Sequence, residues 1–238
     1  MTDKRLLAAV RDNAEWCDAM CRAYNLPGTF TASLWSNPRR TPPLYPDAVT
    51  LTPQATRGEV LAAIDLRSPG ATVKDSFARL DLRDAGFGVL FEAQWIARPP
   101  GPGTPLDDLR TATGDRVTWS EVTTASELRD WETGLHGGHD GGWFRPALLT
   151  DPAVTLVAGR VDGDLVCGSV LTTGGEVVGL SNVFAYGCDP DAPWEGSVAL
   201  AAHLFPGRPI TGYEHGDDLA PPARQGFVPI GPLQVWTT

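Results

Sequence analysis

The stretch that decides the fold is residues 154–185, which reads VTLVAGRVDGDLVCGSVLTTGGEVVGLSNVFA. Three apolar runs rich in β-branched residues are separated by Asp162-Gly163 and by Gly174-Gly175. Such dipeptides supply the positive φ angles that tight hairpin turns need. The pattern therefore predicts a three-stranded antiparallel meander.

The middle run has no strongly polar face. Alternation along a strand sends neighbouring side chains to opposite faces of the sheet. One face is predicted to carry Leu165, Cys167, Ser169 and Leu171, and the other Val166, Gly168, Val170 and Thr172. Because both sets are largely apolar, we expect helices to cover both faces of the meander.

Composition and charge exclude several classes of partner. The chain has 238 residues, with 19 basic and 29 acidic side chains and a net charge of −10. This balance argues against nucleic acid and against anionic membranes as partners. No run is apolar for long enough to span a bilayer, and the N-terminus lacks the apolar core of a signal peptide, so the expected location is the cytoplasm. The four cysteines are interpreted as small core residues rather than disulfides.

The chain divides at a Pro- and Gly-rich stretch without periodicity. Residues 99–114 are predicted to be a linker between a first part, residues 1–98, and a second part, residues 115–238. The second part reads as a strand, a helix, a short helical piece, the meander, a helix, a strand, a short helix and a last strand. Thr124 and Glu127 have the spacing of a capping box, which places the start of the first of these helices.

A short repeat links the two parts. Gly86-Phe87 is followed by Gln94, and Gly226-Phe227 is followed at the same spacing by Gln234. Each pair precedes a predicted strand with a tryptophan near its end. The repeat favours two related halves, and chance similarity over so few residues is the alternative.

The order of elements in residues 116–238 resembles the GNAT N-acetyltransferase superfamily. The resemblance rests on residues 154–185 as central strands and on RQGFVPIGPLQVW (224–236) as the closing turn and strand. It implies an α/β fold with a mixed sheet (α+β). The first part looks like a shortened, degenerate copy of the closing half of that fold, which would make the chain a tandem, double-domain member.

The resemblance also implies a cofactor, acetyl-CoA. Its pantetheine arm would pair with strand residues Val183, Phe184 and Ala185, and its diphosphate would lie near Gly196 and Ser197 at the start of the next helix. The loop before that helix carries Asp189 and Asp191, the helix carries Glu195, and no Arg or Lys is present there. These charges oppose a diphosphate. The tyrosine that often donates a proton in the family is replaced by Pro222, and by Leu82 in the first part.

Several side chains are candidates for chemistry. Glu214 and His215 follow a predicted strand, where either can act as a general base, although an exposed turn histidine is an equally ordinary interpretation. Asn182 can polarise an acyl carbonyl or hydrogen-bond within the core. Trp35 and His139 are predicted to touch substrate.

No metal site is predicted. Two histidines and a carboxylate, His136, His139 and Asp140, lie in one glycine-rich loop and can in principle bind zinc. Because a flexible loop is a poor scaffold for a metal, we favour a loop on the substrate side without a metal.

Two hypotheses follow. The first is an N-acyltransferase that uses acetyl-CoA and acts on a small amine, with no nucleic-acid or membrane partner. The second is a non-catalytic binding or regulatory module that kept the fold and lost the diphosphate loop. The sequence leaves a homodimer open as the assembly.

Overall fold

The computed structural model describes residues 3–139 and 141–238. Within them the chain forms five α-helices and eleven strands. The helices are α1 (Lys4–Ala23), α2 (Arg57–Ala63), α3 (Ala125–Leu135), α4 (Ala192–Leu204) and α5 (Ala220–Arg224). The strands are β1 (Thr29–Phe30), β2 (Leu34–Ser36), β3 (Ala48–Thr50), β4 (Thr72–Asp75), β5 (Gly88–Arg98), β6 (Thr118–Glu121), β7 (Val154–Val161), β8 (Asp164–Thr172), β9 (Val178–Ala185), β10 (Ile210–Glu214) and β11 (Val228–Thr237).

All eleven strands belong to one mixed sheet, which confirms the predicted fold class. Their order is β1-β2-β3-β4-β11-β5-β10-β9-β8-β7-β6. The pairs β3/β4 and β9/β10 are parallel, and the other neighbours are antiparallel. Strand β5 lies between β11 and β10, while β11 lies between β4 and β5. The two parts of the chain therefore interleave in one continuous sheet.

The predicted meander is present as β7, β8 and β9. Asp162 and Gly163 adopt φ angles of 51° and 96° in its first turn, as predicted. The prediction of a second tight turn is wrong, because Gly174 and Gly175 are not among the residues with positive φ. Strand β9 begins only at Val178, so a wider loop joins it to β8, and Asp12 of α1 accepts the N–H of Gly174 at 3.2 Å.

The predicted faces of β8 hold for part of its length only. The register with β7 shifts between Gly159 and Arg160, so that β8 has one extra residue at Val166. This is a β-bulge, which changes the side-chain alternation. Leu165 therefore packs with α3, whereas Val166 and Cys167 both pack near α4. The prediction that Leu165 and Cys167 share a face is wrong for this reason.

Helices cover both faces of the meander, as predicted. On one face, Trp16 of α1 and Trp131 of α3 form a buried cluster with Leu156 of β7. On the other face, Val198 of α4 packs on Leu171 of β8. The capping box of α3 is also confirmed: Thr124 accepts the N–H of Glu127, and Glu127 accepts the N–H of Thr124.

The short sequence repeat corresponds to a repeated backbone geometry. Gly86 and Gly226 have φ angles of 84° and 83°. Each following phenylalanine donates its N–H to a carbonyl five residues earlier, Phe87 to Leu82 and Phe227 to Pro222. The strands that follow, β5 and β11, pair with each other in an antiparallel manner.

The short elements have boundaries that local pattern does not specify. Strands β1 and β2 have two and three residues, which give no periodicity to recognise. A 3₁₀ turn (Gly216–Leu219) precedes α5, and the last strand begins at Val228. Among the helices of residues 3–139 and 141–238, none is long and apolar enough to cross a bilayer.

Candidate functional site

The candidate site begins where β9 and β10 separate. These parallel strands pair at Val178/Ile210 and Gly179/Thr211 and no further. Beyond that point β9 contains a bulge, because Asn182 and Val183 together oppose the single residue Ser169 of β8. Asn182 has a φ of 51°, in the left-handed region that an asparagine tolerates better than most residues. The bulge and the early end of pairing open a cleft in the sheet.

A cavity of about 300 Å³ occupies this cleft. It is bounded by the middle of β9, by the end of β10, by α1, by the end of α3 and by the loop before β3. The lining residues from these strands are Ser181, Asn182 and Val183 of β9 and Tyr213 and Glu214 of β10, and His215 follows directly after β10. The cavity therefore lies where the two parallel strands diverge, on the side toward their carboxyl ends, where open α/β sheets commonly bind ligands.

Glu214 provides a carboxyl group to the cavity lining, and the pKa of this group is raised. Burial, reinforced by the negative charge of Asp218, raises its pKa to about 7. Its carboxylate accepts no hydrogen bond from the residues that the structure describes. A carboxyl group poised near neutral pH with unoccupied oxygens is suited to accept a proton from a ligand.

His215 lies at the rim of the same cavity. It is exposed, and its ring contacts Phe91 with centroids 5.7 Å apart. The structure thus brings both predicted catalytic residues to the cavity, with Glu214 inside and His215 at the edge.

The cavity is also lined by a buried lysine, Lys74. Lys74 of β4 donates hydrogen bonds to Asn13 Oδ1 at 2.8 Å and to the hydroxyl of Tyr213 at 3.2 Å, and its Nζ lies 4.4 Å from the centroid of the Tyr213 ring. The hydroxyl of Tyr45 is also buried. The side chain of Asn182 lies near it, but no hydrogen bond of ordinary geometry joins this hydroxyl to the described residues. Lys74, Asn13 and Tyr45 line the cavity together.

The end of α3 adds an aromatic corner. His136 lines the cavity and packs edge-on against Trp143, with centroids 4.6 Å apart. The carboxylate of Glu132 accepts the N–H groups of Trp143 and Phe144, which fixes the loop after α3. His136, rather than His139, is therefore the histidine of this loop that reaches the cavity.

The residues predicted for cofactor and substrate separate into two groups. Asn182 and Val183 line the cavity. Phe184 packs in the core, edge-on against Trp131 at 5.2 Å, and Ala185 is exposed. Trp35 is fully buried and donates to Asp18 at 3.0 Å, which places it away from the cavity wall.

The loop histidine His139 is exposed and does not line the cavity. Asp140, its neighbour in the alternative zinc site, lies outside the described residues. Within residues 3–139 and 141–238, no group of three or more His, Cys, Asp or Glu side chains is placed to hold a metal ion.

Helix α4 starts two residues earlier than predicted, at Ala192. Gly196 and Ser197 therefore lie within the helix rather than at its first free N–H groups. A side chain at Gly196 would collide with the indole of Trp119. Ser197 is buried and hydrogen-bonded to Ser169 and to the carbonyl of Pro193. The observed contacts of both residues are therefore with the packed interior around α4.

The start of α4 does not fit a diphosphate. Asp189 Oδ1 accepts the N–H groups of Asp191 and Ala192, each at 3.1 Å, and its Oδ2 accepts the N–H of Ala112 at 2.9 Å. Burial acts to raise the pKa of Asp189, but these N–H groups outweigh it and hold the pKa below its usual value. Pro193 has no N–H to offer. An anionic side chain of the protein therefore occupies the helix end that would otherwise receive the anion.

The β9 edge, by contrast, fits the acyl end of such a cofactor. Beyond Gly179 the side of β9 that faces β10 has no strand partner. Its peptide groups can therefore hydrogen-bond to an extended ligand that enters the cleft. The structure therefore fits the acyl end of the cofactor at β9 but does not fit its diphosphate at the start of α4.

Lys74, Asn13 and Tyr45 were not predicted from the sequence. One signal was available, since the chain contains two lysines and one of them, Lys74, lies between Val73 and Asp75 in what the structure shows to be β4. A lysine side chain is rarely fully buried in a protein unless it is paired with another group. Asn13 and Tyr45 gave no local signal, because their importance depends on contacts between distant segments.

Comparisons with known proteins connect this geometry to a fold. No protein-family model matches the chain, and no curated protein matches it by sequence. Among solved structures, a GCN5-related N-acetyltransferase from Kribbella flavida has a TM-score of 0.59 and 17% identity, covering 97% of this chain and 95% of that one. A protein of unknown function from Staphylococcus epidermidis has a TM-score of 0.60 at 12% identity, over 92% and 96% of the two chains.

A further match is a GCN5-related N-acetyltransferase from Sphaerobacter thermophilus. Its TM-score is 0.52 at 10% identity, and the match covers 75% of this chain and 62% of that one. At these identities the matches show a shared fold. The chain has the GNAT fold.

Proposed function

We propose that this protein is an N-acyltransferase that moves an acyl group from a thioester to a small amine held in the cavity. The observation that supports it best is Glu214, a carboxyl group with a pKa of about 7 inside the cleft between β9 and β10. The GNAT fold of the chain adds support, because the solved structures named for an activity are N-acetyltransferases.

Glu214 has the role of proton acceptor in this proposal. A small aliphatic amine is mostly an ammonium ion at neutral pH and must lose a proton before its nitrogen can attack a carbonyl carbon. A carboxylate with a pKa near neutral can take that proton. As the new C–N bond forms, the C–S bond of the thioester breaks, and the leaving thiolate takes up a proton to become the free thiol. Glu214 is preferred to His215 because it lies inside the cavity, whereas His215 is exposed at the rim. Holding the amine close to the thioester within the cleft also lowers the activation barrier.

The β9 edge has the role of holding the acyl donor. When bound, acetyl-CoA would supply the activated acyl group as a thioester. The free peptide groups of β9 beside Asn182 and Val183 orient whatever enters the cleft, and N–H donors near a carbonyl oxygen stabilise negative charge that develops there. Because Asp189 closes the start of α4, we expect only weak affinity for the nucleotide part of the donor.

Thiol release tests the proposal. The purified protein is incubated with millimolar acetyl-CoA and a panel of small amines, and free thiol is measured against protein-free controls. Amine-dependent thiol release, with the acylated amine identified by mass spectrometry, is the expected result. Absence of release across the panel, together with absence of CoA binding by calorimetry at millimolar ligand, would support the non-catalytic alternative.

A further inference from the structure

The cavity contains a positive charge that the protein itself does not neutralise. Lys74 is 5% exposed, and the salt bridges of residues 3–139 and 141–238 do not include it. Its two hydrogen-bond acceptors, Asn13 and Tyr213, are neutral. A buried ammonium without an anion is costly in a folded protein.

The geometry around Lys74 leaves part of its capacity unused. An ammonium carries three N–H donors, and the described residues accept two of them. Tyr45 also lines the cavity, and its buried hydroxyl is a second donor that makes no hydrogen bond of ordinary geometry with the described residues, although the side chain of Asn182 lies near it. Buried polar groups in native proteins are normally paired, so two buried donors with unused capacity on one cavity indicate an acceptor supplied from outside.

We infer that the acceptor substrate carries a carboxylate, which Lys74 and the hydroxyl of Tyr45 bind, and that its amine faces Glu214. This inference rests on the proposed function and names its substrate class: an amino acid. A carboxylate matches both donors at once, and a charge-assisted hydrogen bond from an ammonium is among the stronger contacts that a protein makes. The amine and carboxylate ends then meet groups of opposite character within one cavity.

The remaining walls favour an apolar side chain on that amino acid. Trp16, Phe91, Trp143 and Phe144 line the cavity beside the polar groups. A cavity of about 300 Å³ is at the small end of ligand sites, which suits a single amino acid rather than a peptide.

Matched ligand pairs test the carboxylate site directly. Binding is measured by calorimetry for L-phenylalanine against 2-phenylethylamine, L-tryptophan against tryptamine, and L-leucine against 3-methylbutylamine. In each pair the two molecules differ only in the carboxylate. At least one amino acid is expected to bind about 10- to 100-fold more tightly than its amine, the range expected for hydrogen bonds to a charged group.

Variants then assign the preference to Lys74. Lys74→Met is expected to remove the preference for the amino acid, Lys74→Arg to retain part of it, and Tyr45→Phe to reduce it. Lys4→Met is the matched control, since Lys4 is the other lysine and is exposed at the start of α1. Thermal unfolding checks folding, and Lys74→Met is expected to remain folded because an apolar side chain replaces an unpaired charge.

The outcomes separate this inference from the proposed function. Equal binding of acid and amine in every pair, or a preference that survives Lys74→Met, would overturn the carboxylate site even if amines are acylated. Conversely, a preference that depends on Lys74 without any thiol release would uphold the carboxylate site and contradict the N-acyltransferase proposal.

Discussion

Strand β9, which lines the cavity, and helix α4 are consecutive elements of the chain. The polar groups of the cavity and those at the start of α4 are nevertheless arranged in opposite ways. In the cavity, Glu214 accepts no hydrogen bond from the described residues, and Tyr45 and Lys74 keep unused donors. At α4, the carboxylate of Asp189 is saturated by three N–H groups. The cavity therefore has polar groups that can still bind a ligand, whereas the polar groups at the start of α4 are already paired within the protein.

The contrast shows which part of the fold is prepared for a ligand. Polar groups without partners lower stability unless something outside the chain satisfies them. Groups that satisfy each other add to stability and leave nothing for a ligand. Under the proposed function, the cavity would receive the acyl group and the amine, whereas Asp189 already caps the start of α4, where the diphosphate was expected.

The largest expected effect is the loss of the proton acceptor. Glu214→Gln keeps the size of the side chain and removes its basicity, so the rate of amine-dependent thiol release should fall by about 100-fold or more. His215→Ala should have a smaller effect, and Glu121→Gln, an exposed substitution on β6, should have none. Equal rates for Glu214→Gln and the unmodified protein would remove Glu214 from the mechanism.

The two regions should also respond in opposite directions to pH. The pKa of Glu214 is raised to about 7 in the folded protein from an ordinary value of 4.5. Its contribution to stability is fully present below the unfolded value and is lost as pH rises through about 7. The pKa of Asp189 is lowered, so its contribution is present above the ordinary value of 3.8 and is lost as pH falls below it.

Urea unfolding at a series of pH values measures this contrast. Glu214→Gln should flatten the decline of the free energy of unfolding between about pH 4.5 and pH 7, by up to about 3 kcal/mol. Asp189→Asn should instead alter the acid side of the profile. A profile that declines equally in both variants between pH 4.5 and pH 7 would assign the slope to another group. Asp12 is one such group, because burial raises its pKa to about 6.

Opening the helix end should strengthen cofactor binding. Asp189→Ala removes a negative charge and frees two N–H groups of α4, so affinity for acetyl-CoA should rise about tenfold. Asp189→Asn removes the charge but retains a capping side chain, and its gain should be smaller. Asp84→Asn, in the first part of the chain, is the charge-matched control. Calorimetry decides the matter, and a fall in affinity would show that Asp189 assists the donor rather than opposing it.

The smallest expected effect concerns the contribution of Asp218 to the pKa of Glu214. Asp218 contributes to the raised pKa of Glu214, so Asp218→Asn should lower that pKa. The pH at which activity rises should then fall by about half a unit, which is the shift expected for a partly exposed charge pair. The rate of thiol release measured from pH 5 to pH 8 checks it. An unchanged profile would assign the shift to burial alone.

The sequence by itself determined the local elements of this protein. Periodicity placed α1, α3 and the strands of the meander, because side-chain burial repeats with the geometry of each element. The capping box at Thr124 and Glu127 and the turn at Asp162-Gly163 depend on residues adjacent in the chain, so they could be recognised directly. The order of these elements was sufficient for the resemblance to the GNAT fold.

Sequence order also brought Asn182, Glu214 and His215 forward as candidates, and all three line the cavity. It also named Gly196 and Ser197 for the start of the next helix, whereas helix α4 begins at Ala192, where Asp189 provides the cap. That cap involves Ala112, which is far away in the chain. No local pattern specifies such a contact.

Tertiary structure alone decided what the site contains. Lys74, Asn13 and Tyr45 come from a strand, a helix and a loop, and they meet only after the sheet and α1 have packed. The raised pKa of Glu214 likewise depends on burial, which is a property of the assembled cavity. The local pattern therefore specified the elements, while desolvation and contacts between distant segments gave individual side chains their chemistry.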